Sequence, residues 1–256
     1  APGYGVGYYL NVIVEKRFQD EYEVRQGSDV HLVFRPRSPF PGNKEYEGTG
    51  TLFGERLGFG NPILIKSDEF GSRHTLLVQG GGMALRLERL VGWGRMEVNV
   101  SLGQAKPEAV ALLLGLNLLP VGQAPGAGGP PSLLAVSAPA GDSFSAAFRS
   151  GTSDEFYVEG AEMNLTVRSR KVGFEDVEYE VTGSGFGRQF GFGQLTLRTD
   201  KAFLGPRGYR LRGPGVDLEV RDDSFAGRQR TELKGTPGDS PKLAAFLVSL
   251  ARYIGR

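Results

Sequence analysis

"FGERLGFG", residues 53–60, and "FGRQFGFG", residues 186–193, are near copies of one another, 133 positions apart. Glycines interleaved with aromatic rings suit three different things: a phosphate-binding loop, an RNA-reading strand, or a structural element that occurs twice. What surrounds the two copies decides among them.

The spacing runs well beyond the motif. "DVHLVFRPR" from Asp29 faces "EMNLTVRSR" from Glu162 at the same offset. Between residues 45–60 and 178–193, ten of sixteen positions are identical, where ordinary composition gives roughly one. Gly80, Gly82 and Leu85 face Gly213, Gly215 and Leu218, and after a one-residue shift "AKPEAVALLLGL" from Ala105 faces "DSPKLAAFLVSL" from Asp239. Self-similarity at a fixed period marks a repeated architecture. The chain therefore reads as an internal duplication: a first unit over 1–122, a Gly/Pro/Ala-rich linker over 123–142, and a second unit over 143–256.

Within each unit, apolar and polar residues alternate. "YYLNVIVEK", "DVHLVFR", "KEYEGTG", "HTLLVQ", "MALRLER" and "RMEVNV" read as strands, as do "EMNLTVR", "EYEVTG", "QLTLRTD", "GYRLRG" and "VDLEVRD". Pro107 and Pro241 open the one helix of each unit, at a position where a missing N–H is harmless. The first helix is apolar nearly all round and is expected to be buried on two sides. In the second, Leu243, Phe246, Leu247, Leu250 and Ile254 form one stripe, expected to cover a sheet or a barrel mouth. The fold class is thus mainly β: a tandem duplication of an antiparallel β-barrel or sandwich unit, each closed by one C-terminal α-helix. That order is similar, in layout alone, to pleckstrin-homology-like domains. In it, the repeated motif is expected to be a bend inside a sheet. Phe53, Phe59, Phe186 and Phe192 would pack over the gaps left by glycine, with Gly58 and Gly191 needing the room. Strand alternation also turns Phe190 and Phe192 together toward the core.

The sharper readings lose ground. A dinucleotide fingerprint needs a helix after its glycines, and "PILIKSD" and "QLTLRTD" are strand-like instead. An RNA-recognition motif partly matches "RQFGFGQL" but requires helices between its strands. A general single-strand binder needs only rings in a positive groove. From Gly183 to Gly213 the candidate contacts are Arg188, Arg198, Lys201, Arg207, Arg210 and Arg212, against Asp200 alone. The same stretch of unit one balances Arg56, Lys66 and Arg73 with Glu55, Asp68 and Glu69.

Catalysis finds little support. His31 and His74 are the only histidines, and their repeat partners are Asn164 and Arg207. The acidic pairs Asp68/Glu69, Asp154/Glu155, Glu175/Asp176 and Asp222/Asp223 lack the spacing of a calcium loop. Cysteine is absent and net charge is +1, which removes thiolate chemistry and any global field steering the chain toward nucleic acid. The longest apolar run, "AVALLLGLNLLPV", falls short of the ~20 residues of a membrane span. The expectation is a non-enzymatic structural or binding protein without cofactor or metal. Its partners would be proteins or further copies of itself, and single-stranded nucleic acid is the alternative. Abundant arginine beside scarce asparagine and glutamine suits a thermophile. An Ala1 start and a glycine-rich, cysteine-free composition lean toward export to the cell envelope.

Overall fold

A computed structural model describes residues 8–37, 43–58, 60–70, 73–90, 94–116, 142–172, 176–200, 207–222 and 229–254, with backbone alone for 43, 44, 68–70 and 207. Residues 123–141 of the expected linker lie outside the described residues. The first half contributes β1 (Leu10–Lys16), β2 (Tyr22–Gln26), β3 (Val30–Pro36), β4 (Asn43–Leu52), β5 (Glu55–Leu57), β6 (Ile63–Phe70), β7 (Arg73–Gly80), β8 (Met83–Leu90), β9 (Arg95–Ser101) and α1 (Pro107–Leu116). The second contributes β10 (Ser143–Ser150), β11 (Glu155–Gly160), β12 (Met163–Lys171), β13 (Val177–Gly185), β14 (Arg188–Phe190), β15 (Thr196–Asp200), β16 (Arg207–Gly213), β17 (Val216–Asp222), β18 (Arg230–Pro237) and α2 (Pro241–Ile254). Among the described residues both halves run through nine strands and a helix in the same order.

Barrel, rather than sandwich, is what these strands build. Each pairs antiparallel with its neighbour in sequence, and β18 returns to β1, with Leu10 opposite Gly235. The short β5 and β14 pair only with the tails of β4 and β13, so sixteen strands form the closed ring. The halves do not close separately: β9 pairs with β10 and β18 with β1, making each half an arc of one wall.

Period-two alternation sets the two faces of that wall. In β2 and β3, Tyr22, Val24, Val30, Leu32 and Phe34 are buried, while Arg25, His31 and Arg35 are exposed. The outer face is laced with cross-strand pairs: Arg25–Glu15, Arg35–Glu21, Arg168–Glu155 and Arg170–Glu178, each at 2.7 Å. Individually such exposed pairs contribute little. Together they give the outer wall a water-facing polarity, the inverse of a lipid-facing barrel with its apolar outer band. Among the described residues no helix is long and apolar enough to cross a membrane.

Both helices enter from the end where β1 begins, here called the upper rim, and run down the lumen. α1 lies against α2, β1 and β18, as its all-round apolarity implied; α2 lies against α1, β9 and β10. Of the two places expected for α2, a sheet face or a barrel mouth, it takes the first, lying inside the lumen against the wall and not across its mouth. Leu243–Ala251 and Tyr253 are all buried, including the small residues off the stripe. Ser249 tolerates this because its hydroxyl donates to the Ala245 carbonyl at 2.8 Å.

The halves fill the lumen differently. Phe34 on β3 faces Gly48 on β4, whereas the matching positions of the second half are Val167 and Val181. Tyr209 on β16 donates its hydroxyl to the Leu114 carbonyl at 2.8 Å, one of the last carbonyls of α1 and so without a helical partner. Leu76 holds the matching place on β7 and lines a narrow apolar cleft with Ile65, Val78, Leu85, Leu113 and Val248. Leu76→Phe is expected to fill the cleft and raise stability by about 1 kcal/mol. A lower denaturant midpoint than wild type would show that the wall has no room there.

Several phenols resist ionisation. Burial pushes Tyr22 and Tyr46 upward, and they meet edge-on at 5.7 Å; burial does the same to Tyr209. A folded-state pKa above the unfolded value near ~10 leaves stability intact below that pH and removes it as pH rises further. The denaturant midpoint should therefore hold from pH ~8 to ~10 and then fall as tyrosinate absorbance grows. A flat midpoint through the tyrosine range would contradict this burial.

Candidate functional site

The repeated motif builds the upper rim. Leu52 pairs with Glu55 and Gly185 with Arg188, so "FG" is in each copy the two-residue turn of a tight hairpin. Phe53 and Gly54 have φ of 46° and 91°, and Phe186 and Gly187 have 52° and 71°. Twin left-handed residues match the twist of flanking strands, though for phenylalanine the conformation costs roughly 1–2 kcal/mol. Local contacts offset it. The Phe53 N–H donates to the Asp29 carbonyl at 2.7 Å, and Phe186 to Glu162 at 2.9 Å. Phe53 meets Tyr8 edge-on at 5.2 Å; Phe186 meets Phe144 at 5.1 Å and Phe246 at 6.3 Å. The motif is therefore a turn, not a bend within a strand.

Each hairpin stands beside a helix N-terminus and a carboxylate from the preceding turn, but the chemistry of the two places differs. In the second half, an open cleft of about 430 Å³ is lined by Asp142, Glu162, Phe186, Arg188, Ser240 and Lys242. Ser240 caps α2, accepting from the Leu243 N–H at 3.2 Å. The Lys242 ammonium donates to both Glu162 oxygens at 3.1 and 2.9 Å, and Arg188 lies 3.6 Å from Asp239. In the first half the matching positions are Tyr9, Asp29, Phe53, Glu55, Lys106 and Glu108. There the Tyr8 hydroxyl donates to Asp29 at 2.5 Å. Burial, with Asp29 and Glu108 adding to it, pushes the phenol up to about 12.

The proposed basic face is assembled only in part. Arg198 and Arg210 are cross-strand partners on the outer wall, with Arg212 beside them. Each faces a carboxylate. Arg198 lies 2.6 Å from Asp176 and 3.4 Å from Asp200, Arg210 makes two 3.0 Å bonds to Asp217, and Arg212 reaches Asp217 at 4.0 Å. The Asp176 and Asp217 hydrogen bonds raise the Arg198 and Arg210 pKa values further. Arg188 stands apart at the rim; Lys201 and the Arg207 side chain lie outside the described residues.

The rings divide as well. Phe190 is buried, as expected, but Phe192 is 76% exposed. The correction has a simple cause: β14 ends at Phe190, and the chain then leaves the wall in a short loop. Gln194 closes that loop, its side chain accepting the Gly191 N–H at 2.9 Å, with Gly193 at φ 73°. Alternation does not extend across it. Phe186 and Tyr209 are partly buried against the core, so of the candidate rings among the described residues only Phe192 is exposed; Phe59 and Phe203 lie outside them.

His31 sits on the outer wall, 3.0 Å from Glu23, and His74 lies on β7. Among the described residues no group of three His, Asp or Glu could hold a metal. Of the acidic pairs, Glu155 is held by Arg168 and Tyr157, and Asp176 by Arg198; Glu175, Asp223 and the Asp68 and Glu69 side chains lie outside the described residues. Comparison with known proteins gave no matching family model, no matching curated protein and no matching solved structure.

Proposed function

We propose that the chain is a non-enzymatic binding and assembly protein, formed by internal duplication, that presents two diverged copies of one surface at its upper rim. The observation that carries this reading is the pair of rim sites. Hairpin, turn carboxylate and helix N-terminus recur in both, while the charged side chains do not. Asp142, Glu162 and Asp239 stand beside the two cations Arg188 and Lys242 in the second; Asp29, Glu55 and Glu108 have Lys106 alone at the matching positions of the first. Like scaffolds with unlike charge suit two different neighbours. Another trace supports the duplication: the ion pairs Arg95–Glu97 and Arg230–Glu232 each join the first and third residues of the last strand of a half, β9 and β18.

The test is site-specific photocrosslinking in the native cell, from a reactive residue at position 9 and another at position 188. Distinct crosslinked proteins from the two rims are the expected result. No products, or the same products as from an outer-wall position such as 31, would overturn the reading. Cell-envelope location belongs to the same proposal, and fractionation of the native cell tests it. A thermophilic source also fits, the networked arginine–carboxylate pairs of the outer wall being the observation in its favour.

Phe192, exposed on the loop that follows β14, favours a second reading as a binder of single-stranded nucleic acid. Titration with a labelled oligonucleotide across a salt series separates the two. Affinity falling steeply with salt, and lost in Phe192→Ala, would install the nucleic-acid function in place of the first.

A further inference from the structure

We draw no further inference here: the strongest candidate, the apolar cleft between the β6–β8 wall and the two lumenal helices, holds only about 20 Å³, room for a single water molecule, and nothing in the structure shows what covers it.

Discussion

Gly50→Ala is expected to lower the stability of the barrel by about 3 kcal/mol, and Gly183→Ala by a similar amount. The two glycines are repeat partners, with φ of 134° and 117°, a region that residues bearing a Cβ rarely adopt. Space is equally restrictive. A Cβ at Gly50 would lie 2.0 Å from the His31 carbonyl oxygen, and one at Gly183 would lie 2.3 Å from that of Asn164. Both obstacles are backbone of the adjacent strand, so relief requires the wall itself to move. Gly58 and Gly191, read from sequence as the crowded positions, are the natural controls. Nothing lies within 4 Å of a Cβ at Gly58, and at Gly191 only the Gln194 side chain is met, at 3.6 Å. Alanine at either should stay within about 0.5 kcal/mol of wild type. Thermal and denaturant melts of all four variants decide the matter. Unchanged melting of Gly50→Ala would show that the strand bend does not depend on glycine.

The second large effect is a rescue. Gly48→Val places a Cβ 2.4 Å from the Phe34 ring, and overpacking of this kind costs about 3 kcal/mol at the upper end of its usual range. Phe34→Val alone leaves a void and should cost about 2 kcal/mol. The double variant reproduces the valine pair that the second half carries at 167 and 181. It is expected to recover most of the loss, with a coupling energy of about 3 kcal/mol. Denaturant midpoints of the two singles and the double measure it. Simple addition of the two costs would mean that the halves do not share one packing scheme.

That pair also shows what sequence reading can and cannot reach. Gly48 opposite Val181 is one of the mismatches in the repeat, and on paper it is noise. It acquires a cause only when Phe34 and Gly48 are seen to be cross-strand neighbours. Alternation in the strands read from sequence put Leu32, Leu165 and Val220 on the faces that the structure buries, because period two is a local property of strands. Which strand closes on which is not local. A β9 paired with β10 and a β9 turned back on its own half satisfy the same alternation, so one shared barrel was not legible. The lumenal place of α1 was foreshadowed by Val110, Leu112, Leu113 and Leu114. That of α2 was hidden by Ala244, Ala245, Ser249 and Ala251, which lie off the apolar stripe yet are small enough to bury at little cost. The rim sites were invisible for the same reason as the seams. Glu162 and Lys242 are 80 positions apart and meet only once the wall is shut.

Wall closure has a consequence for how the protein is made. β1 leaves the ribosome before every other strand of the wall, yet one of its two partners, β18, starts only at Arg230. For most of synthesis the nascent chain is an open, curved sheet with one unpaired edge at β1 and another at whichever strand has just emerged. Its apolar concave face has no second helix to cover it. Exposed edges and apolar surface are what neighbouring chains pair with, and contacts this distant in sequence form slowly. No fragment ending before Arg230 can complete the ring, so closure is a late event for which the whole chain must wait.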